Sequence, residues 1–117
     1  MNPYANDNAL FPQQAVCWYA LGPQECQEHI EHLSAWLAWL KERYALDHRA
    51  LPECWAQHGA LIEELSALAS SWSRAFNAKE TSYTPLAWHT DFALTRRRIA
   101  DWIARSGCRP EAHRDEA

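Results

Sequence analysis

Apolar residues recur at helical spacing in three stretches of the chain. In the first, from Pro23 to Tyr44, they follow intervals of four and three and comprise Cys26, Ile30, Leu33, Leu37, Leu40 and Tyr44. This spacing predicts an amphipathic helix, and Pro23 suits its first turn. A second stripe lies beside the first and comprises His29, His32, Trp36, Trp39 and Arg43. So wide a face is typical of a helix with neighbours on two sides.

The second stretch follows Pro52 and runs to about Asn77. Its apolar face comprises His58, Leu61, Leu65, Leu68, Trp72 and Phe76. Pro52 disfavours helix at the preceding residue and permits one to begin after it. Gly59 weakens the start of this helix. Two starts therefore stay open: one directly after Pro52, and one near Gly59 with residues 53–58 as a separate turn.

The third stretch follows a polar loop and runs to about Arg105. Thr84 is the expected N-cap, Pro85 the first helical residue, and Gly107 the C-terminal cap. The buried stripe comprises Trp88, Phe92, Thr95, Ile99 and Trp102 or Ile103. No segment alternates like a strand. The pattern thus predicts an all-α protein, a small bundle of three main helices with an N-terminal arm.

The domain organisation follows from the same pattern. Residues 1–22 form the arm, 23–107 the helical domain, and 108–117 a flexible charged tail. The chain has 117 residues, which fits one domain. Residues 1–10 carry no positive run followed by an apolar region, so we expect no signal peptide, and no apolar stretch approaches the length of a membrane span. A cytoplasmic location with reduced thiols is the expectation, and buried inert thiols are the favoured interpretation of the four cysteines.

Motifs of catalysis do not occur in this sequence. There is no Gly-rich phosphate loop, no His-Glu-x-x-His and no Gly-x-Ser-x-Gly. Glu63 and Glu64 lie on the outward side of the second helix, where solvated charges belong. The prediction is a protein that is not an enzyme.

Cys54, His58 and His89 are the candidate metal ligands. If residues 54–58 are helical, Cys54 and His58 share a face. In an antiparallel pair of helices, His89 would lie far from them along the axis. We therefore expect His58 and His89 to hydrogen-bond within the core, with no cofactor; zinc bound by the three residues is the alternative.

Arginines concentrate in the third helix, although the formal net charge of the chain is −4. Arg96, Arg97, Arg98 and Arg105 are candidates for contacting nucleic-acid phosphates. Three consecutive helical residues fan too widely to face one groove. The favoured interpretation is a solvated face with salt bridges to Asp101 or to the acidic first helix.

Tryptophan is unusually frequent, with seven in the chain. Trp36 and Trp39 lie with His29 and His32 on the second stripe of the first helix, and these four are the candidate partner-binding residues. The favoured interpretation is that the arm covers them through Trp18 and Tyr19. If it does not, a protein partner or a homodimer is expected there.

Several of these residues resemble an uncharacterised family of small Trp-rich domains carried on actinobacterial plasmids, integrative elements and phages. The resemblance covers about residues 36–94 and rests on Trp55, His58, Leu65, Leu68, Trp72, Trp88 and His89. It implies an accessory protein of a mobile genetic element and brings no known activity.

The sequence therefore predicts a non-catalytic accessory or regulatory protein of a mobile genetic element that acts through protein–protein interaction. The alternatives are a nucleic-acid-binding regulator that uses the Arg96–Arg98 cluster, and a zinc-stabilised helical domain. No membrane association is expected.

Overall fold

Three helices make up the architecture: α1 (Pro23–Arg43), α2 (Gly59–Ala75) and α3 (Tyr83–Ser106). The computed structural model describes residues 11–77, 79 and 82–108. Single turns of 3₁₀ helix lie at Trp18–Ala20 and Trp55–Gln57. These residues include no β-strand, which confirms the predicted all-α class and the bundle of three helices.

The helix ends follow local chemistry. Pro23 occupies the first turn of α1, and the carboxylate of Glu25 accepts a hydrogen bond from the Gly22 backbone N–H at 3.3 Å. The helix α2 begins at Gly59 after a separate turn, so the second of the two predicted starts is correct. The helix α3 begins at Tyr83, with Ser82 rather than Thr84 as its flanking residue.

The core lies where the three apolar stripes meet. In α2 and α3 the predicted stripes are buried, at Leu61, Leu65, Leu68, Trp72, Trp88, Phe92, Thr95 and Ile99. Aromatic rings occupy its centre: Trp72 contacts Trp36 at 6.0 Å and Trp39 at 5.0 Å between ring centroids. Offset and tilted arrangements of this kind are the favoured geometry of aromatic pairs.

Part of the N-terminal arm packs on α2, and serine side chains hold it there. The Ser70 and Ser73 hydroxyls donate to the backbone carbonyls of Gln14 and Phe11 at 3.1 and 2.9 Å. The Trp18 Nε1–H donates to Ser66 Oγ at 2.9 Å. These serines follow each other at intervals of four and three along one face of α2. The arm is thus a fixed part of the fold from Phe11 onward; residues 1–10 of the predicted arm lie outside the described residues.

The helices α2 and α3 run antiparallel, with small α2 residues such as Ala69 and Ser70 buried. Near the start of α3, the Trp88 Nε1–H donates to the Leu68 carbonyl at 3.3 Å. Further along, the Arg98 guanidinium contacts the Glu64 carboxylate at 2.8 Å. The end of α3 therefore lies beside the start of α2. Of the helices in the described part of the chain, none is both long and apolar enough to cross a membrane.

Candidate metal centre

The turn between Pro52 and Gly59 brings two side chains together. The Trp55 N–H donates to the Pro52 carbonyl, and the His58 N–H donates to the Trp55 carbonyl at 3.1 Å. This 3₁₀ turn places the Cys54 Sγ 3.4 Å from the His58 Nε2. His58 is also the N-cap of α2, because its carbonyl accepts the N–H groups of Leu61 and Ile62. Its position is thereby fixed to the first turn of that helix.

The third side chain of this group follows the C-terminal end of α3. Gly107 ends the helix in the left-handed conformation, with φ of 70°, which glycine adopts without the steric cost of a Cβ. The following N–H, that of Cys108, donates to Ser106 Oγ at 3.1 Å. This C-terminal cap turns Cys108 back onto the start of α2. The folded domain therefore extends at least to Cys108, which is buried, whereas the predicted flexible tail begins at that residue.

Cys54, His58 and Cys108 form one compact cluster of potential metal ligands. The two Sγ atoms are 3.0 Å apart, and the ligand atoms of all three residues lie within 4.8 Å of one another. His58 and Cys108 are buried, and Cys54 is half-buried. Two thiols and an imidazole are the donor set that zinc prefers in proteins.

The environment of Cys54 favours its protonated form. Burial, together with the hydrogen bond to Cys108, raises the pKa of the Cys54 thiol to about 11. An uncompensated thiolate is therefore disfavoured at neutral pH. A bound cation would reverse this preference, because it stabilises the thiolate directly.

The cluster lies beside a cleft between α2 and α3. Its walls include Pro52, Leu61, Trp102 and Ile103. As formed by the described residues, the cleft leaves no room for a water molecule. Its packing is that of a helix interface.

His89, the third predicted ligand, lies elsewhere. The Tyr44 hydroxyl donates to its Nε2 at 2.9 Å, and its Nδ1–H donates to the Pro85 carbonyl at 2.9 Å. Its ring contacts Phe76, which flanks the opposite end of α2 from His58. The predicted set Cys54, His58 and His89 therefore does not converge, because the antiparallel arrangement puts its members at opposite ends of the helix pair.

The predicted partner-binding stripe on α1 is largely covered. Trp36 is completely buried, and Trp39 is half-buried against Trp72. The ring of His29 contacts Trp18 of the arm at 5.8 Å, and only His32 is exposed. Trp36 is thus a core residue and does not present a surface to a partner.

The two arm residues that are predicted to cover this stripe differ in burial. Trp18 packs against the core as expected, whereas Tyr19 is fully exposed.

The arginine cluster is exposed, and most of it is engaged within the chain. Arg98 bonds to both carboxylate oxygens of Glu64, on α2 rather than on α1 or at Asp101. The guanidinium groups of Arg96 and Arg105 lie over the rings of Phe92 and Trp102 at 5.6 and 5.1 Å. These residues form an exposed face with an internal salt bridge, and its carboxylate is Glu64, not the predicted Asp101 or an acidic residue of α1.

Cys108 is the cluster residue that sequence reasoning missed. The signal was available, because Cys108 directly follows the glycine cap of α3 and His58 directly precedes α2. In an antiparallel pair those two positions lie at the same end. Comparison with known proteins finds no family model, no curated protein and no solved structure that matches this chain.

Proposed function

We propose that this protein is a non-catalytic helical domain stabilised by a zinc ion that Cys54, His58 and Cys108 hold. The observation that carries the proposal is the convergence of three nitrogen and sulfur ligands within 4.8 Å, from positions 54 residues apart in the chain. From the resemblance to mobile-element proteins alone, we propose an accessory or regulatory role for the domain.

The distances within the cluster support a tetrahedral ion. Zinc–sulfur bonds of about 2.3 Å in a tetrahedron separate two sulfur ligands by about 3.8 Å. The Sγ atoms are 3.0 Å apart and the sulfur-to-imidazole distance is 3.4 Å, so binding of the ion requires the two sulfur atoms to separate by about 0.8 Å.

The position of the cluster supports a structural role for the ion. It joins the start of α2 to the end of α3, next to a cleft too tight for water. Catalytic zinc sites keep a position open to substrate, whereas structural sites are closed by four protein ligands. The described residues supply three ligands, so a structural ion needs one further ligand to close the tetrahedron.

Metal analysis tests this proposal. We expect one zinc per chain in protein purified without chelators, and close to none after Cys108→Ser or His58→Gln. Cobalt substituted for zinc is expected to show thiolate charge-transfer and tetrahedral ligand-field absorption. Cys26→Ser is the matched control, since Cys26 lies outside the cluster. Wild-type protein that takes up neither metal when reconstituted under reducing conditions would refute the proposal.

The same two cysteines also favour a second chemistry, a disulfide between Cys54 and Cys108. Their Sγ atoms lie 3.0 Å apart, and a two-electron oxidant such as a small-molecule disulfide would join them by accepting the two thiol hydrogens. The two states differ in mass and in thiol count. Intact-mass and thiol measurements on freshly purified protein separate them, because a disulfide removes two hydrogens and two titratable thiols.

Nucleic-acid binding by the arginine cluster is the weaker alternative. Three of its four residues already contact side chains of the same chain, at Glu64, Phe92 and Trp102. A salt-dependent gel shift on duplex DNA that is lost in the Arg96→Ala, Arg97→Ala, Arg98→Ala triple variant would establish this alternative.

A further inference from the structure

The outward face of α3 carries an apolar stripe that the fold does not use. Tyr83, Leu86 and Leu94 are 75%, 68% and 45% exposed. They lie opposite the buried side of the helix, which contains Trp88 and Phe92. Among the described residues, the only other large hydrophobic residue with a comparable exposure is Tyr19. Such a concentration on one helix face marks an interaction surface.

The stripe is symmetric about Thr90. Leu86 and Leu94 lie four residues before and after it, and Tyr83 and Arg97 lie seven residues before and after it. All five share one face, because their spacing of three and four residues matches the helical period. When two copies of such a helix pair antiparallel with Thr90 at the centre, each residue after Thr90 lies level with the residue equally far before Thr90 in the other copy.

We propose that this protein forms a homodimer through α3, with two antiparallel copies related by a two-fold axis at Thr90. Leu86 of each copy packs beside Leu94 of the other copy. These two leucine pairs flank the central pair of Thr90 residues. The interface is isologous, as in most two-fold dimers. It goes beyond the proposed zinc site and does not depend on it.

Charge and ring chemistry favour a second copy over an unrelated partner. In this register Arg97 of one copy reaches Tyr83 of the other, where a guanidinium stacks on an aromatic face. The other members of the cluster, Arg96, Arg98 and Arg105, contact groups of their own chain. Arg97 has no ion pair within residues 11–77, 79 and 82–108. The dimer therefore uses Arg97, the member of the cluster that contacts no charged partner among the described residues of its own chain.

The size of the surface sets the expected affinity. One face of a single helix buries less than the roughly 800 Å² per partner of a standard interface. We therefore expect a dimer that dissociates in the micromolar range, with a mass that depends on concentration.

Sedimentation equilibrium of the full chain tests the proposal. The mass is expected to rise with concentration from 13.5 kDa toward twice that value. Leu86→Glu and Leu94→Glu are each expected to hold the mass at the monomer value, and each weakens association at least tenfold. Ala67→Glu is the matched control, because it adds the same charge at an exposed position of α2 and leaves the dimer intact.

Crosslinking tests the register. In a Cys17→Ser, Cys26→Ser background, Thr90→Cys is expected to form an intermolecular disulfide, since only a residue on the two-fold axis meets itself. Ala93→Cys alone is expected to remain uncrosslinked, and a mixture with Ala87→Cys protein to crosslink.

A wild-type chain that stays monomeric at millimolar concentration overturns the proposal, including the case in which residues of the same chain cover the stripe. Dimerisation that survives both leucine variants overturns it too. Zinc content distinguishes failure of the dimer from failure of the metal site. Thr90 lies 18 residues before Cys108, which is about 27 Å along a helix. Neither leucine variant is therefore expected to change the zinc content.

Discussion

Replacing Cys108 with serine should lower the free energy of unfolding of the zinc-loaded protein, by an amount that depends on the length of chain between Cys54 and Cys108. A metal bridge between Cys54 and Cys108 joins positions 54 residues apart. It therefore removes a large part of the conformational freedom of the unfolded chain. Loop closure over that length corresponds to about 4 kcal/mol of stabilisation. In a domain of this size, such a change lowers Tm by about 15–20 °C.

Thermal unfolding followed by tryptophan fluorescence measures this effect. The Tm of the wild type is expected to fall by about 15–20 °C when a strong chelator removes the metal. Cys108→Ser is expected to unfold at the temperature of the chelated wild type and to show no further response to the chelator. Cys26→Ser, which replaces a half-buried thiol outside the cluster, should respond to the chelator as the wild type does.

Two results would contradict this reasoning. A wild-type Tm that the chelator leaves unchanged would mean that no metal links the two segments. A Cys108→Ser variant that still responds to the chelator would place the metal elsewhere. If the link is instead a disulfide, the loop and the magnitude are the same, but a reductant rather than a chelator lowers Tm.

Three further predictions follow from single contacts. His89→Gln should keep the full zinc content by elemental analysis and lose at most about 1 kcal/mol in urea unfolding, because His89 bonds to Tyr44 and not to the cluster. Trp36→Ala should lower the free energy of unfolding by about 3–5 kcal/mol in the same assay, since the Trp36 side chain is completely buried. A loss below about 1 kcal/mol would mean that this side chain is exposed and not part of the core. Arg98→Ala should cost about 1 kcal/mol, because Arg98 is half-exposed, whereas its partner Glu64 is only 19% exposed and loses its counter-charge. A double-mutant cycle with Glu64→Gln measures that pair.

Local sequence patterns were sufficient to predict the helices. Spacing of three and four identified α2 and α3 and their buried faces, and Gly107 identified the end of α3. Pro23 predicted the start of α1, because a proline in the first turn of a helix has no N–H that needs a partner. These features depend on neighbours along one helix, so a single sequence contains them.

The arm contacts were beyond the reach of such patterns. Ser66, Ser70 and Ser73 look like ordinary polar residues of a helix, and only the packed structure brings them to Trp18, Gln14 and Phe11 of the arm. Likewise, periodicity placed Trp36 on a wide face of α1 but could not say whether that face was covered. Burial of a second face depends on which segments return to it, and those segments lie far away in the chain.

The candidate metal cluster shows the same division. Cys54 and His58 were evident from their spacing, because one turn of chain brings them together. Their third member had to come from another helix, and His89 and Cys108 both lie on or next to α3. The sequence by itself determined three amphipathic helices and two of the three members of the ligand cluster. Only the tertiary structure decided which end of α3 meets His58, because the antiparallel packing of α2 and α3 brings Cys108 to the cluster and carries His89 to the opposite end.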